Sequence, residues 1–344
     1  VLGIERKVSK TLVIASERAA CIARACCSDS THEALFVAEK VNGEANSRFD
    51  RDFKTIADVL AQESAKMEIA ASFPELADSV RGEECSEIGG VNIAVQENVE
   101  RTTELLTYLV PPDAAKRMAD AVHSTIKLKL ENLPNLPEIN TSDLGVWIDP
   151  IDATAEFIAG AQGKVNAGRG LPCVTVLIGA YLKSTGEPVM GVINQPFYSG
   201  EQSRIVWGVC YENIREYGAT TSNTVTDTNT VLMSAVEKPE VAAMIQSLGW
   251  DVKSVPGAGH KLLKVVLGEA AAYIVSKDTT FRWDTCAPHS ILRAKGGDVL
   301  NYTTKTPITY NDPESRDTKD FCNSGGVIAY ANPSIYEKIE SVFN

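Results

Sequence analysis

Residues 147–154 read Trp-Ile-Asp-Pro-Ile-Asp-Ala-Thr, and no other stretch limits the possible folds of this chain so sharply. An apolar run arrives at Asp149 with the texture of a buried strand. Pro150 fixes φ and offers no N–H, so the ladder is expected to stop at Asp149. Asp152 and Thr154 then read as the opening of a helix through Glu156, Phe157 and Ile158, with Asp152 as N-cap and the first backbone amides left open. A strand ending on one carboxylate, followed at once by a helix starting on another, brings both acids and the helix amides to one point. Such a point can hold a hard cation and a phosphate together. The bland alternative is a plain strand-to-helix turn in which Asp152 only caps.

The flanking segments differ in texture. Before residue 147, apolar residues recur at helical spacing, so helices are expected over 4–27, 30–41, 53–73, 99–109 and 111–130. A short strand is expected at 91–95, a strand end or turn at 80–84, and a loop over 132–142. Beyond Asp149, strands are expected at 173–182 and 188–193, joined by the hairpin signal Lys183-Ser184-Thr185-Gly186-Glu187, with a third at 204–210. Polar, threonine-rich residues 211–230 read as a loop. Strands at 231–234, 252–255, 271–275, 299–302 and 327–330 then alternate with helices at 239–248, 261–267, 285–294 and 334–343. That alternation indicates an α/β second half behind an α+β first half. For 344 residues, a division into 1–160 and 161–344 follows.

A net charge of −12 and a pI near 5.0 argue against a general binder of nucleic acid or membrane surfaces. They leave room for a phosphorylated ligand, because a local cation can invert the field at one site. The eight cysteines form no C-x-x-C pair and only four histidines are present, which argues against zinc and for reduced thiols. No signal-like segment and no run of membrane-spanning length is apparent, so a cytoplasmic protein is expected.

Four further groups could carry chemistry. Glu83 and Glu84 follow Gly82 at a strand end; adjacent acids are either a solvated pair or a cluster that needs a cation. Asp58 falls among the apolar positions of a helix, on its surface or aimed into a site. Asp284 precedes the helix 285–294 as an expected N-cap. In Gly257-Ala258-Gly259-His260-Lys261, small residues allow close backbone approach. Lys261 opens a helix, where only a nearby anion favours a cation; otherwise it is simply solvated. His260 reads as a polar contact.

Taken in order, Glu83-Glu84, Asp149-Pro150-Ile151-Asp152-Ala153-Thr154 and Trp283-Asp284 resemble the Mg2+-dependent, lithium-sensitive phosphomonoesterase superfamily of inositol monophosphatase and fructose bisphosphatase. The segments 52–60, 190–197 and 278–281 are most similar to its inositol polyphosphate 1-phosphatase branch. The resemblance implies a layered αβαβα sugar-phosphatase fold with the site between the two halves. It implies one metal held by Glu83, Asp149 and the Ile151 carbonyl, a second by Asp149, Asp152 and Asp284, and a further cation or its waters by Asp58 and Glu84. Asp58 and Thr154 would be catalytic, with Asp58 orienting Thr154. Amides near Ala153 and Thr154 would hold phosphate, and Lys238, Gly257, Ala258, Lys261 and Thr279 would hold the inositol ring and a second phosphate. Ala153 and Val236 stand where that branch carries hydroxyls.

The implied cofactor is Mg2+, two or three ions per site, with Li+ or Ca2+ as inhibitory ions. The implied partner is a small phosphorylated substrate, with no nucleic acid and no membrane, for a monomer. The implied activity removes the 1-phosphate of inositol 1,4-bisphosphate and inositol 1,3,4-trisphosphate in phosphatidylinositol signalling. The alternatives are a 3′(2′),5′-bisphosphate nucleotidase and a phosphoinositol-binding protein without turnover.

Overall fold

The structure, a computed structural model, describes residues 8–27, 35–40, 44–45, 52–128, 139–200, 202–221, 229–312 and 318–341. The chain runs through helix α1 (Val8–Cys27), paired strands β1 (Val37–Glu39) and β2 (Phe53–Thr55), helix α2 (Ile56–Ser72) and strand β3 (Val80–Gly82). Short strands β4 (Glu87–Ile88) and β5 (Val91–Asn92), helices α3 (Val99–Leu106) and α4 (Pro112–His123), strand β6 (Leu144–Asp152) and helix α5 (Thr154–Ala161) follow. Next come β7 (Thr175–Leu182), β8 (Pro188–Ser199), β9 (Gln202–Tyr211) and β10 (Ile214–Ala219). The last part is β11 (Thr230–Met233), α6 (Pro239–Ser247), β12 (Asp251–Ser254), α7 (Ala258–Leu267), β13 (Ala272–Val275), α8 (Arg282–Lys295), β14 (Asp298–Asn301), β15 (Val327–Tyr330) and α9 (Pro333–Glu340).

Apolar residues gather into three buried clusters, each filling the space between layers. The first joins α1, α2 and α4 to one face of a six-stranded sheet of order β10-β9-β8-β7-β6-β3. The second joins the opposite face, through α7 and α8, to a five-stranded sheet of order β12-β11-β13-β15-β14. The third packs α6 and α9 on the outer face of that second sheet. The result is the expected αβαβα layering, and the first sheet draws strands from both sides of residue 160.

Close approach sets the seat of α8. Gly179, Gly191 and Gly208 are cross-strand neighbours on β7, β8 and β9. A Cβ at Gly179 would lie 2.5 Å from the Ala287 nitrogen, and one at Gly208 would lie 2.7 Å from the Ile291 Cα. One at Gly191 would lie 2.7 Å from the Ala287 carbonyl carbon. The α8 backbone therefore lies in a side-chain-free groove across three strands. That seat fixes the height of the helix whose first turn carries Asp284.

Several expectations need correction. Within 30–41, residues Val37–Glu39 form β1 and pair with β2, so tertiary pairing overrides the helical spacing; residues 30–34 and 41 lie outside the described residues. The expected helix at 53 starts at Ile56, because Phe53–Thr55 is strand and Thr55 caps α2. The expected helix over 111–130 ends at His123, and 129–138 lie outside the described residues. Part of the expected loop 211–230 is β10, an edge strand paired with β9 and polar because one side meets solvent; 222–228 lie outside the described residues. Among the described residues, no helix is long and apolar enough to cross a membrane, and all eight cysteines are free thiols.

Candidate metal and phosphate site

Strand β6 does not stop at Asp149. It continues through Pro150 to Asp152, with a register shift between the pairs Asp149–Leu177 and Asp152–Thr175. Pro150, which has no N–H to give, falls inside that irregularity, where the ladder is already interrupted. The extra residue has a second effect. Residues at odd spacing on a regular strand face opposite sides of the sheet, and one inserted residue returns Asp152 to the side of Asp149. Helix α5 then starts at Thr154, with Ala153 rather than Asp152 at the N-cap. Ala153 adopts the left-handed conformation, φ 69° and ψ 48°, a strained setting for a residue with a Cβ. Asp284 is also no N-cap. It sits within the first turn of α8, where its Oδ2 accepts the Phe281 N–H at 2.7 Å. Asp149, Asp152 and Asp284 are all buried, and each offers an oxygen within 4.8 Å of the others'.

The remaining acids arrive from the first helical layer and its adjoining strand. The Glu83 N–H donates to the Ile148 carbonyl at 3.1 Å, which extends the β3–β6 pairing and sets Glu83 alongside Asp149. Gln62 grips the next residue from both sides, accepting from the Glu84 N–H at 2.9 Å and donating to its carbonyl at 2.5 Å. A Cβ at position 82 would lie 2.9 Å from the Gln62 Cγ, so a larger residue there would displace the Gln62 side chain from Glu84. Asp58 Oδ2 accepts from the Thr55 N–H at 2.7 Å and the Thr55 hydroxyl at 2.5 Å. Asp58 Oδ1 faces the Thr154 hydroxyl at 3.2 Å, and the Ile151 carbonyl lies at the same distance from that hydroxyl.

Burial and crowding dominate the electrostatics. Burial pushes Asp58 up to about 6 despite its bonds to Thr55. Burial, with Glu83 and Asp58 nearby, pushes Glu84 up to about 8 and outweighs the Lys40 ammonium. Burial, then the charges of Glu83, Asp152 and Asp284, raises Asp149 well above the ordinary carboxylate range. Burial also raises Asp152, against the Gly259 N–H, Lys261 and Thr175. The Oδ1 atom of Asp149 is buried and accepts no hydrogen bond among the described residues. An orphaned carboxylate oxygen among oxygen donors is the setting that Mg2+ fits, since hard cations take such ligands and buried acids need a counter-charge.

The expected substrate residues share one topological place. Strands β12, β11 and β13 are parallel neighbours. Lys238 follows β11, Gly257, Ala258 and Lys261 follow β12, and Thr279 follows β13. Ligands in open α/β sheets bind beyond such carboxyl ends. The start of α7 also abuts the acids, because a Cβ at Gly257 would lie 2.9 Å from Asp152 Oδ2. Lys261 is buried rather than solvated and donates to the carbonyls of Val255 and Gly257 at 3.0 and 2.8 Å. Thr279 is buried and Lys238 exposed. The His260 Nδ1 lies 3.2 Å from the Pro256 carbonyl, and burial drives this ring down to about 4.

Sequence reasoning missed Lys40, Gln62, Thr175 and Asn323. Gln62 was findable, since it lies one helical turn beyond Asp58 on the same face. Asn323 Nδ2 lies 2.9 Å from the Phe281 carbonyl and 3.1 Å from the Thr285 hydroxyl, and so braces the turn that holds Asp284.

The sequence pattern of the inositol monophosphatase family matches residues 13–343. An inositol polyphosphate 1-phosphatase from Mus musculus is 37% identical, covering 93% of this chain and 92% of its own length. Among solved structures, the extragenic suppressor protein suhB from Bartonella henselae aligns at TM-score 0.57 and 14% identity, covering 97% of this chain and 98% of that one. An IMPase/NADP phosphatase complexed with Mg2+ and phosphate aligns at TM-score 0.53 and 13% identity, covering 90% of this chain and 86% of that one. These two likenesses speak to the fold. The family match over nearly the whole length, together with the Mus musculus relative, makes this chain a member of the inositol monophosphatase family.

Proposed function

We propose that this chain is a Mg2+-dependent, lithium-inhibited phosphomonoesterase that removes the 1-phosphate of inositol 1,4-bisphosphate and inositol 1,3,4-trisphosphate. One observation carries the reading: Asp149, Asp152 and Asp284, distant in sequence, present oxygens within 4.8 Å of one another, next to the helix that Thr154 opens. The substrate class is supported by the 37% identity to the mouse inositol polyphosphate 1-phosphatase. Glu83, Asp149 and the Ile151 carbonyl would hold one ion, and Asp149, Asp152 and Asp284 a second. Asp58 and Glu84 would serve a further cation or its waters. When bound, Mg2+ supplies positive charge for the phosphoryl group and acidifies nearby water.

The chain's own residues divide the remaining work. Thr154 donates its hydroxyl proton toward Asp58, so its lone pairs can take a proton from an attacking water. Thr55 pins Asp58 through two hydrogen bonds. Raised to about 6, Asp58 is ionised near neutral pH yet basic enough to hold a proton. The first amides of α5 would face phosphoryl oxygens, as helix N-termini do. Lys261 and the start of α7 would hold a second phosphate.

The test measures phosphate release from inositol 1,4-bisphosphate and adenosine 3′,5′-bisphosphate side by side, with Mg2+ and with EDTA. We expect Mg2+-dependent release favouring the inositol substrate. A preference of about tenfold for the nucleotide, or 1.4 kcal/mol, would make the chain a nucleotidase. Release that survives EDTA would overturn the metal role.

A further inference from the structure

We propose that the Lys40 ammonium is a tethered stand-in for a divalent cation at Glu83 and Glu84, and that it withdraws before an ion is held there. The proposal rests on the acidic cluster being a metal site.

The geometry is specific. Lys40 Nζ lies 2.7 Å from Glu83 Oε1 and 2.7 Å from Glu84 Oε1. The Lys40 and Glu84 side chains are each only 2% exposed. The backbone beneath is anchored, since the Lys40 N–H donates to the Asp52 carbonyl at 2.9 Å. One cation thus bridges the carboxylates of two consecutive residues, in the position where an ion shared by them would stand.

An ammonium and a divalent ion both need those oxygens. Mg2+ draws its ligands to about 2.0–2.1 Å and demands near-octahedral placement, which an ammonium lodged between the same oxygens prevents. Like charges at such range repel strongly. The arrangement also accounts for the membership of the three-aspartate group. Among the described residues, Asp149, Asp152 and Asp284 converge within 4.8 Å, and Glu83 is not part of that group; its carboxylate is bonded to Lys40 instead. Without the ammonium, the metal-free chain would bury Glu83 and Glu84 side by side against Asp58 and Asp149. Lys40 neutralises that region until an ion replaces it.

The test follows Mn2+ binding to the purified full-length chain by electron paramagnetic resonance. In Lys40→Met, which keeps the aliphatic stem and removes the charge, Mn2+ should bind about tenfold tighter or more, as expected on removing one competing charge. Adding Glu83→Gln to that variant should abolish the gain. A second measurement needs no variant. Acylation of wild-type protein with an amine-reactive acetyl ester, read by peptide mass spectrometry, should leave Lys40 protected in EDTA and label it in saturating Mn2+. Unchanged or weaker Mn2+ binding in Lys40→Met overturns the proposal. So does equal protection of Lys40 in EDTA and in Mn2+. If the wild-type chain binds no Mn2+ at all, the metal reading itself falls along with this one. If it binds Mn2+ and neither Lys40 result appears, only the role of Lys40 falls.

Discussion

Replacing Asp149 with asparagine should make the metal-free protein more stable and remove the stability that Mg2+ adds. Asp149 faces Asp152 and Asp284 with ligand oxygens within 4.8 Å. Two unit charges at that distance repel by about 3.5 kcal/mol at an effective dielectric of about 20. Full ionisation of all three acids would thus set Asp149 against roughly 7 kcal/mol of repulsion. The folded chain avoids most of this by retaining a proton, which burial favours first and the charges of Glu83, Asp152 and Asp284 favour next, so Asp149 titrates well above the ordinary carboxylate range. Retaining it at neutral pH still costs stability, so asparagine should return about 1–4 kcal/mol. Asparagine keeps the shape and removes the charge that a cation requires. Saturating Mg2+, at about a hundred times its Kd, stabilises a one-site protein by roughly 2.7 kcal/mol, and Asp149→Asn should forfeit that gain. Urea denaturation in EDTA and in Mg2+ reads both effects, and the lead of the variant in EDTA should shrink by roughly 2.7 kcal/mol in Mg2+. A variant less stable than wild type in EDTA would refute the crowding argument. One that gains as much from Mg2+ as wild type would refute Asp149 as a ligand.

The acidic cluster should cost the metal-free protein stability as pH rises from about 4 to about 8, with buried His260, lowered to about 4, acting in the opposite sense over the lower part of that range. Glu84 and Asp58 are raised to about 8 and about 6 in the folded state, so in that window these acids hold more protons in the folded chain than in the unfolded one, and their contribution to stability falls with pH. Urea midpoints in EDTA across the range check the slope, and a curve rising over the upper part of it would contradict the reasoning. Gly191→Ala should destabilise by about 1–3 kcal/mol, the usual penalty of overpacking, because its Cβ would meet the Ala287 carbonyl. Displacing α8 should also weaken Mn2+ binding through Asp284, so unchanged binding would separate the helix seat from the site. Asn323→Ala should cost about 1 kcal/mol or more of stability, and should lower kcat more than it raises KM, because it braces Asp284 rather than touching substrate. An effect on KM alone would contradict that placement.

The acids were legible in the sequence because chemistry marks them: paired carboxylates after strand-like runs, and one beside Trp283. The alternation of strand and helix after residue 230 was legible for the same local reason, since hydrophobic period tracks element type. What stayed hidden depends on pairing. Nothing local shows that Pro150 falls at an irregularity and not a strand end, because that is a relation between β6 and β7. Lys40 was hidden for a similar reason: its segment has helical spacing, and only pairing of β1 with β2 extends it. The glycine row beneath α8 cannot be seen until the registers of β7, β8 and β9 are known.

These hidden relations bear on why so crowded a site persists in a folded chain. Asp149 and Asp152 belong to the six-stranded sheet, Asp284 to the helical layer between the sheets, and Asp58 to the helices beyond. Among the described residues, Lys40 lies by Asp58, Glu83, Glu84 and Asp149 and Lys261 by Asp152, fewer ammonium groups than carboxylates. Three separate interlayer cores hold the elements in place regardless. Their apolar burial supplies the stability that the acids reduce. A cation held by residues from two layers reverses the sign of that contribution by turning repulsion into a crosslink. The same reasoning predicts that Mg2+ should protect the packing of α8 on its glycine groove, so hydrogen exchange at Ile291 and Leu292 should slow when Mg2+ is added. Exchange slowed only near Asp58 would place the ion with the outer helices instead and break the link between the site and the layers.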